Sequence, residues 1–416
     1  MTLTVSRTAH RATTALFLVS GLSFGGFVVR SAALKVEHGL DDRAYGLTSV
    51  LFGGVAIATM QALGPLLRRV GPEAVARVAV VTLPLAVALL GAVPGTASYV
   101  AAIAVVAAAN GALDVSMNAT AVRAEQRIGR PILSGCHAAW SIGITVATLA
   151  GTASLAAGVP TAAHLAVAAA VAVPVALVAG RRLPTADEVE RSLPGTGPTT
   201  DVPPSGSTGG RPARPVPRPR SGWSPAFARV AVVGVVLMVA EGAALAWGAV
   251  LLHEQRDATL AVAAAATTAF TAAQTLGRLV GDRLRAAWGD ARLFRRGAVV
   301  GACGLALGAL APHPVAAVAG FALLGLGGAT LVPIAYAETG RLDPSGRSAA
   351  RLSVFVYAGV LAGPAAIGLV AAGAGLTAAV ALVAPLLAAS ALVLPRAAAD
   401  GSPTGSDLPE ASRQAR

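Results

Sequence analysis

The chain has 416 residues, of which 55% are hydrophobic and only 12% charged, and its mean hydropathy is +0.68. About a quarter of a soluble domain is charged, so this composition excludes a protein whose whole surface faces water. The formal net charge of +12 would suit a nucleic-acid partner. However, the basic residues lie between long apolar runs, so we expect membrane lipid as the surroundings and no nucleic acid.

Twelve apolar runs follow one another, and most reach the roughly 20 residues that cross a bilayer core. They predict an all-α integral membrane fold with transmembrane spans 1 to 12 near residues 12–34, 45–67, 74–93, 97–122, 133–157, 161–180, 226–251, 259–281, 293–311, 314–337, 348–371 and 375–394. The first run has no compelling cleavage site, so we interpret it as a retained helix and not as a signal peptide.

The arginines predict the orientation of these spans. With the N-terminus inside, only Arg30, Lys35, Arg43 and Arg256 of the 32 basic residues lie on the outer side. Cytoplasmic loops carry an excess of Lys and Arg, and the alternation holds through all twelve spans. We therefore predict a multi-pass protein of the plasma (inner) membrane, a monomer with both termini in the cytoplasm.

A polar insert divides the chain into two halves. Residues 181–225 are rich in Pro, Gly, Ser and Arg and cannot bury enough apolar surface to fold, which predicts a disordered cytoplasmic linker. An N-terminal six-helix bundle over 1–180 precedes it and a C-terminal six-helix bundle over 226–395 follows, before a disordered cytoplasmic tail over 396–416. Weak sequence echoes after spans 2 and 8, and after spans 4 and 10, predict pseudo-two-fold symmetry between the bundles.

Two kinds of motif in this sequence resemble those of a known family. The Gly-rich loop after span 8, which contains Asp282-Arg283, and its weaker copy after span 2 resemble the signature loop of the major facilitator superfamily, although Arg68 stands where that family has an acid. The segments Asn110-Gly111-Ala112-Leu113-Asp114 and His137-Ala138-Ala139-Trp140-Ser141 are similar to a bacterial permease branch distantly related to fucose permeases. Arg30 and Glu241-Gly242-Ala243-Ala244 also fit that branch. The resemblance implies twelve helices and transport of a small solute.

Two acids lie inside predicted spans, Glu241 at the middle of span 7 and Asp114 in span 4. A charge at a helix centre costs about 2.5–3.5 kcal/mol on insertion scales, so we interpret both as candidates for proton coupling or substrate contact. The alternative for Glu241 is a protonated structural acid bonded between helices. The alternative for Asp114 is a hydrogen-bond network that packs the first bundle.

Polar residues continue along one face of span 4. Asn110 recurs four residues before Asp114 and could line a solute path, whereas Asn118 and Glu125 lie closer to the cytoplasm. We assign the latter two to a cytoplasmic gate, where a packing role is favoured. His137, about a turn inside span 5, is interpreted as a structural partner of Asp114 or Glu125 at the same gate.

Span 8 carries a second polar face. Thr271 and Gln274 could bond a polyhydroxylated solute, although a threonine inside a helix also bonds its own backbone. At the inner end of the span, Arg278 and Asp282 are interpreted as a salt bridge of the cytoplasmic gate, together with Arg283.

The remaining candidates carry less chemistry. Arg30 either attracts an anionic or hydroxylated substrate or extends to the interface, and Trp140 is interpreted as an interfacial anchor. Cys136 and Cys303 both lie in apolar runs, so neither a disulfide framework nor a metal site is expected. We expect no cofactor, since the sequence has no phosphate-binding Walker loop, and no nucleophile–base pair points to an enzyme.

These features predict a secondary active transporter that carries a small polar organic solute, such as a sugar or related metabolite, by alternating access in symport with protons. A proton-driven exporter of drugs or metabolites is the alternative. A membrane-embedded enzyme or receptor is a remote alternative, because neither clustered catalytic groups nor a large outer domain is present in the sequence.

Overall fold

The computed structural model describes residues 2–128, 132–184, 224–342 and 347–393. The predicted linker, except for its two ends, and the predicted tail lie outside these residues, so both stay predictions.

Twelve helices in the described ranges are long and apolar enough to cross a membrane. Spans 1 to 6 are the helices Thr2–Val29, Asp42–Val70, Pro72–Leu90, Gly95–Ile128, Leu133–Ala156 and Thr161–Arg181. Spans 7 to 12 are Pro225–Gln255, Leu260–Trp288, Asp290–Leu310, Pro314–Leu342, Arg347–Ala374 and Leu376–Val393. The all-α, twelve-span fold predicted from the sequence is confirmed.

Three spans of the second half are not continuous α-helices. Span 7 runs from Pro225–Gly242 through a π-helical turn, Ala243–Trp247, into Gly248–Gln255. The other two are interrupted: span 10 consists of Pro314–Gly328 and Leu331–Leu342, and span 12 of Leu376–Ala381 and Val383–Val393. Between spans 1 and 2, a short additional helix, Ser31–Glu37, lies at what we call the outer end, the end predicted to face outside.

Local sequence explains where several spans begin. The side chains of Asp41, Ser224 and Thr259 accept hydrogen bonds from backbone amides in the first turns of spans 2, 7 and 8 respectively. Such N-caps satisfy donors that a helix cannot pair within itself. Each of these helices therefore starts at a defined residue.

Glycines allow the spans within each half to approach closely. A methyl group at Gly25 of span 1 would lie 2.7 Å from the carbonyl oxygen of Ile144 in span 5. A methyl group at Gly304 of span 9 would lie 2.7 Å from the carbonyl oxygen of Gly320 in span 10. Helices in lipid associate through such close van der Waals packing, which explains why Ala and Gly dominate the apolar runs.

The same helix pairings recur in both halves. Span 1 packs on spans 5 and 6, span 4 on spans 2 and 3, and span 3 on span 6. Span 7 packs on spans 11 and 12, span 10 on spans 8 and 9, and span 9 on span 12. The most extensive contacts between the halves are those of span 5 with span 8 and of span 2 with span 11, which are related by the same pseudo-two-fold symmetry.

The predicted orientation can be tested with single cysteines. In a variant without Cys136 and Cys303, we expect Ala97→Cys, at the start of span 4, to react with a membrane-impermeant maleimide in intact cells. Asp282→Cys, at the inner end of span 8, should react only after permeabilisation. Both positions are exposed, so the opposite pattern of labelling would contradict the orientation.

Candidate functional site

The outer end is closed by a buried lysine. Lys35 of the short helix Ser31–Glu37 is 3% exposed and forms ion pairs with Asp42 of its own half, at 2.8 Å, and with Glu254 of the other half. A buried ammonium is tolerated only where carboxylates compensate its lost hydration. The pair with Glu254 therefore joins the two halves at this end.

A second layer of contacts lies directly beneath Lys35. The hydroxyl of Tyr45 in span 2 donates to the carbonyl oxygen of Ala246, 3.1 Å away, in the π-helical turn of span 7. The Tyr45 ring meets the ring of Trp247 edge-on at 5.1 Å. Nearby, a methyl group at Gly46 would lie 3.2 Å from the Cα of Gly368 in span 11. The halves are therefore in direct contact at this level.

Spans 5 and 8 are joined by side-chain hydrogen bonds along the middle of the molecule. The bonded pairs, with their distances, are Ser141–Arg278 at 2.9 Å, Thr145–Thr275 at 2.9 Å, Thr148–Thr271 at 3.0 Å and Thr152–Thr268 at 2.8 Å. The hydroxyl of Thr271, predicted to meet a solute, is thus engaged between the halves, and the residue is only 1% exposed. Gln274 of span 8, by contrast, donates to Glu241 within the second half.

Asp114 is bonded across the two halves. Its carboxylate accepts a hydrogen bond from the hydroxyl of Tyr357 in span 11, at 2.6 Å, and another from the amide of Asn118, at 3.1 Å. Tyr357 was not among the predicted residues, because it lies 243 positions from its partner. Asp114 and Asn118 lie together, as the four-residue spacing predicted.

The other residues predicted near Asp114 differ in their surroundings. Glu125 accepts from two backbone amides at the start of span 5, at 2.9 and 3.2 Å, so it holds the connection between spans 4 and 5. The His137 side chain makes no hydrogen bond to Asp114 or Glu125 among the described residues, but it lies close enough to Asp114 for an electrostatic interaction, so its role at the gate stays a prediction. Its ring meets Phe17 edge-on at 5.1 Å. Asn110 has no side-chain partner among the described residues.

Glu241 lies in a pocket within the second half. Its carboxylate accepts from the amide of Gln274 at 3.2 Å. Residues of spans 7, 8, 10 and 12 line the pocket, among them Phe270, Gly328 and Leu331. The π-helical turn of span 7 begins two residues after Glu241, and the interruption of span 10 lies between Gly328 and Leu331. Two helix irregularities thus flank one carboxylate.

Arg30 holds the outer end of the first half together. The side chain is 1% exposed and donates to Nδ1 of His164 at 3.2 Å, to the carbonyl oxygen of Val159 at 3.1 Å and to Oγ of Ser154 at 2.7 Å. Each of its three nitrogens is engaged. This arrangement fits neither of the predicted roles, substrate attraction or extension to the interface.

The predicted salt bridge between Arg278 and Asp282 is wrong. Arg278 donates to Ser141 across the halves, while Asp282 and Arg283 are both exposed at the end of span 8 and form no ion pair within the described part of the chain. Residues 278 and 282 are a turn apart on the helix, but the neighbouring span 5 offers Arg278 a partner inside the protein.

A buried acid at the start of span 3 forms the inner-end ion pairs of the first half. Gly71, with φ of 82°, turns the chain sharply between spans 2 and 3, and Glu73 follows in the first turn of span 3. Its carboxylate binds Arg123 and Arg127 of span 4, each at 3.2 Å. The sequence motif pointed to Arg68, but the acid that binds span 4 comes five residues later.

The second half repeats this arrangement. Gly289, with φ of 71°, makes the turn between spans 8 and 9, and Asp290 follows it. Its carboxylate binds Arg285 at 2.8 Å and Arg341 of span 10 at 2.8 Å, and Arg341 also binds Glu338 at 2.9 Å. Aligning the two glycine turns in the sequence would have identified both acids.

Two pseudo-symmetric halves of six spans, in contact through polar side chains at mid-depth, are the architecture of membrane transporters that bind their solute between two structural repeats. An uncharacterised MFS-type transporter of Yersinia pestis is 30% identical over 357 residues, which cover 85% of this chain and 87% of that protein. The chain belongs to the major facilitator superfamily. It is therefore a membrane transporter and not an enzyme.

Solved structures agree in fold. The nucleoside transporter NupG superimposes with a TM-score of 0.64 at 15% identity, covering 93% of this chain and 98% of NupG. The transporter FucP, in its outward conformation, gives a TM-score of 0.59 at 14% identity, covering 93% and 97%. No protein-family model matches the chain. The resemblance to the major facilitator superfamily predicted from the motifs is confirmed, and these structures share the fold of the chain.

The ion pairs of Asp290 generate a stability prediction. Asp290→Asn leaves Arg285 and Arg341 without their shared carboxylate, and we expect it to lower the free energy of unfolding by about 1–2 kcal/mol, since the partners are partly exposed. Asp282→Asn is the matched control and should change nothing measurable. Thermal unfolding of the purified protein compares them; equal midpoints for the two variants would contradict the assignment.

Proposed function

We propose that the protein is a secondary active transporter of the plasma membrane that moves a small polar organic solute, such as a sugar or related metabolite, together with protons, and that it acts as a monomer. The observation that carries this proposal is the hydrogen bond between Asp114 of span 4 and Tyr357 of span 11. A group that can titrate there joins the two halves whose relative motion transports the solute.

The proton on Asp114 would act through the strength of this bond. A hydrogen bond to a charged group contributes about 1.5–3 kcal/mol and one between neutral groups about 0.5–1.5 kcal/mol. Protonation of Asp114 therefore weakens its attraction to Tyr357 by about 1 kcal/mol, which changes the ratio of two conformations about fivefold. The protonation state thus biases the position of one half relative to the other.

Glu241 would serve as a second proton site. Its pocket lies inside one half, and Gln274 can donate to the ionised carboxylate or, after rotation of its amide, accept from the protonated one. The adjacent π-helical turn supports a functional role, because such turns occur often at functional sites. Loss of charge at Glu241 would therefore act first on span 7.

We infer that the described state faces the cytoplasm. The Lys35–Glu254 pair and the Tyr45–Trp247 contact close the outer end. Towards the inner end, the ion pairs each stay within one half, and the bond of Arg278 to Ser141 is a single hydrogen bond between the halves. A proton moving through about 100 mV provides about 2.3 kcal/mol, enough for a roughly fiftyfold solute gradient. The same arrangement would serve export if the solute were released outside.

Proteoliposomes loaded with a pH-sensitive dye test the coupling. We expect one of a set of sugars or related metabolites to cause proton movement in wild-type protein. Glu241→Gln or Asp114→Asn should still exchange that solute across the membrane but move at least about tenfold fewer protons. Solute transport without proton movement in the wild type would contradict symport, and reversing the pH gradient distinguishes import from export.

A second experiment tests the closed outer end. Lys35→Met leaves Asp42 and Glu254 facing each other without a cation, so we expect the outer end to open more often. Asn110→Cys, in a variant without the native cysteines, should then react about tenfold faster with an external impermeant maleimide. Arg43→Met, an exposed cation at the same end, is the matched control; equal labelling rates in the two variants would contradict the closure.

A further inference from the structure

Four aromatic side chains of the first half form a cluster that the mechanism above does not use. Phe24 of span 1 lies 6.1 Å from the ring of Trp140 in span 5 and 6.4 Å from Phe52 in span 2. Phe27 stacks on Phe52 at 5.9 Å, with an interplanar angle of 15°. We call these four residues the aromatic cluster. The sequence had suggested that Trp140 is an interfacial anchor. In the structure it is part of this cluster instead.

The cluster differs from most of the other phenylalanines in its exposure. Five of the nine Phe residues are at most 2% exposed and fill the contacts between helices, namely Phe17, Phe227, Phe270, Phe294 and Phe321. Phe24, Phe27 and Phe52 are all partly exposed, and so is Trp140. Phe27, Phe52 and Trp140 pack partly against the hydrophobic core, but core packing does not account for the surface that all four rings keep accessible.

Span 1, which carries Phe24 and Phe27, packs against helices of both halves. Span 1 contacts spans 3, 4, 5 and 6 of its own half, and it also contacts span 8 and the π-helical turn of span 7. With neighbours on all of these sides, no broad face of span 1 is left for lipid. Spans 1, 2 and 5, which carry the aromatic cluster, all contact the second half, so the cluster lies on the side of the first half that faces the second.

Two polar groups on spans 4 and 5 have no hydrogen-bond partner among the described residues. In the part of the chain that the structure describes, neither the indole nitrogen of Trp140 nor the side-chain amide of Asn110 makes a hydrogen bond. Asn110 is next to Gly111, which packs against the backbone of Ala56, one helical turn from Phe52. Unpaired polar groups are unfavourable within a membrane, so these two groups are available to a ligand.

We propose that the aromatic cluster binds the flat, apolar face of a ring-shaped solute, while Trp140 and Asn110 bond hydroxyl groups at its rim. This inference rests on the proposed function and narrows its substrate class to cyclic, hydroxylated molecules. Partly exposed rings offer an apolar surface to the carbon face of such a molecule. An acyclic polyol presents no rigid face and loses more conformational freedom on binding.

Matched pairs of probes test the requirement for a ring. Purified protein at constant pH is titrated with D-ribose and ribitol, with D-glucose and sorbitol, and with uridine, while thermal unfolding reports binding. We expect at least one cyclic probe to raise the unfolding midpoint and its acyclic partner to leave it unchanged. A larger shift with uridine than with ribose would assign the stacked ring to the base. Equal shifts within each pair, or no shift with any cyclic probe, would overturn the proposal.

Variants of the cluster complete the test. Phe52→Leu and Trp140→Leu should weaken binding of the active probe about tenfold, and Trp140→Phe, which keeps a ring but loses the N–H, should have a smaller effect. Trp288→Phe, at the inner end of span 8 and outside the cluster, is the control. Unchanged affinity in well-folded Phe52→Leu and Trp140→Leu overturns the proposal. Because no gradient is applied, this outcome is separate from a failure of proton coupling.

Discussion

The high cost of an unpaired polar group in a membrane determines how this chain packs. Lys35 reaches two carboxylates, Arg30 uses all three of its nitrogens, and the hydroxyl of Thr148 meets that of Thr271 on the other half. Most polar side chains within the described spans are thus paired inside the protein, although the hydroxyls of Thr120 and Thr267 are buried without a partner. Asn110 differs from these two because it is unpaired and also partly exposed, which is why we include it in the proposed solute site.

The two contacts between the halves satisfy this constraint in different ways. Spans 5 and 8 are joined by hydroxyl groups, which can exchange one neighbouring partner for another along the helix because several hydroxyls and carbonyls lie within reach. Spans 2 and 11 approach through Gly46 and Gly368, whose lack of side chains leaves a smooth surface. Neither contact depends on large interlocking side chains. Both therefore suit halves that rotate against each other.

The sequence was sufficient for the spans and for the residues that share a helix face, because hydrophobic length and helical spacing are local properties. Asp114 with Asn118 illustrates this. The sequence could not identify Tyr357 as the partner of Asp114, because that contact depends on how the two halves pack. The Arg278–Asp282 error has a related cause: helical spacing brings the two within reach, but only the position of span 5 shows that Arg278 prefers Ser141. The acids Glu73 and Asp290, which follow the two glycine turns, could have been predicted from the internal repeat, but we did not predict them.

On the proposed mechanism, the two acids act at different places. Asp114 bonds the opposite half directly, so its proton changes the contact between the halves without an intermediate. Glu241 bonds only its own half, but the π-helical turn that begins two residues later carries Ala246 and Trp247, both in contact with Tyr45 of the first half. A π-helical turn is bonded from residue i to residue i+5 and occurs often at functional sites. Glu241 is therefore only a few residues along span 7 from the contacts with Tyr45 that close the outer end. On the proposed mechanism, a change of charge at Glu241 alters these contacts through the backbone of span 7.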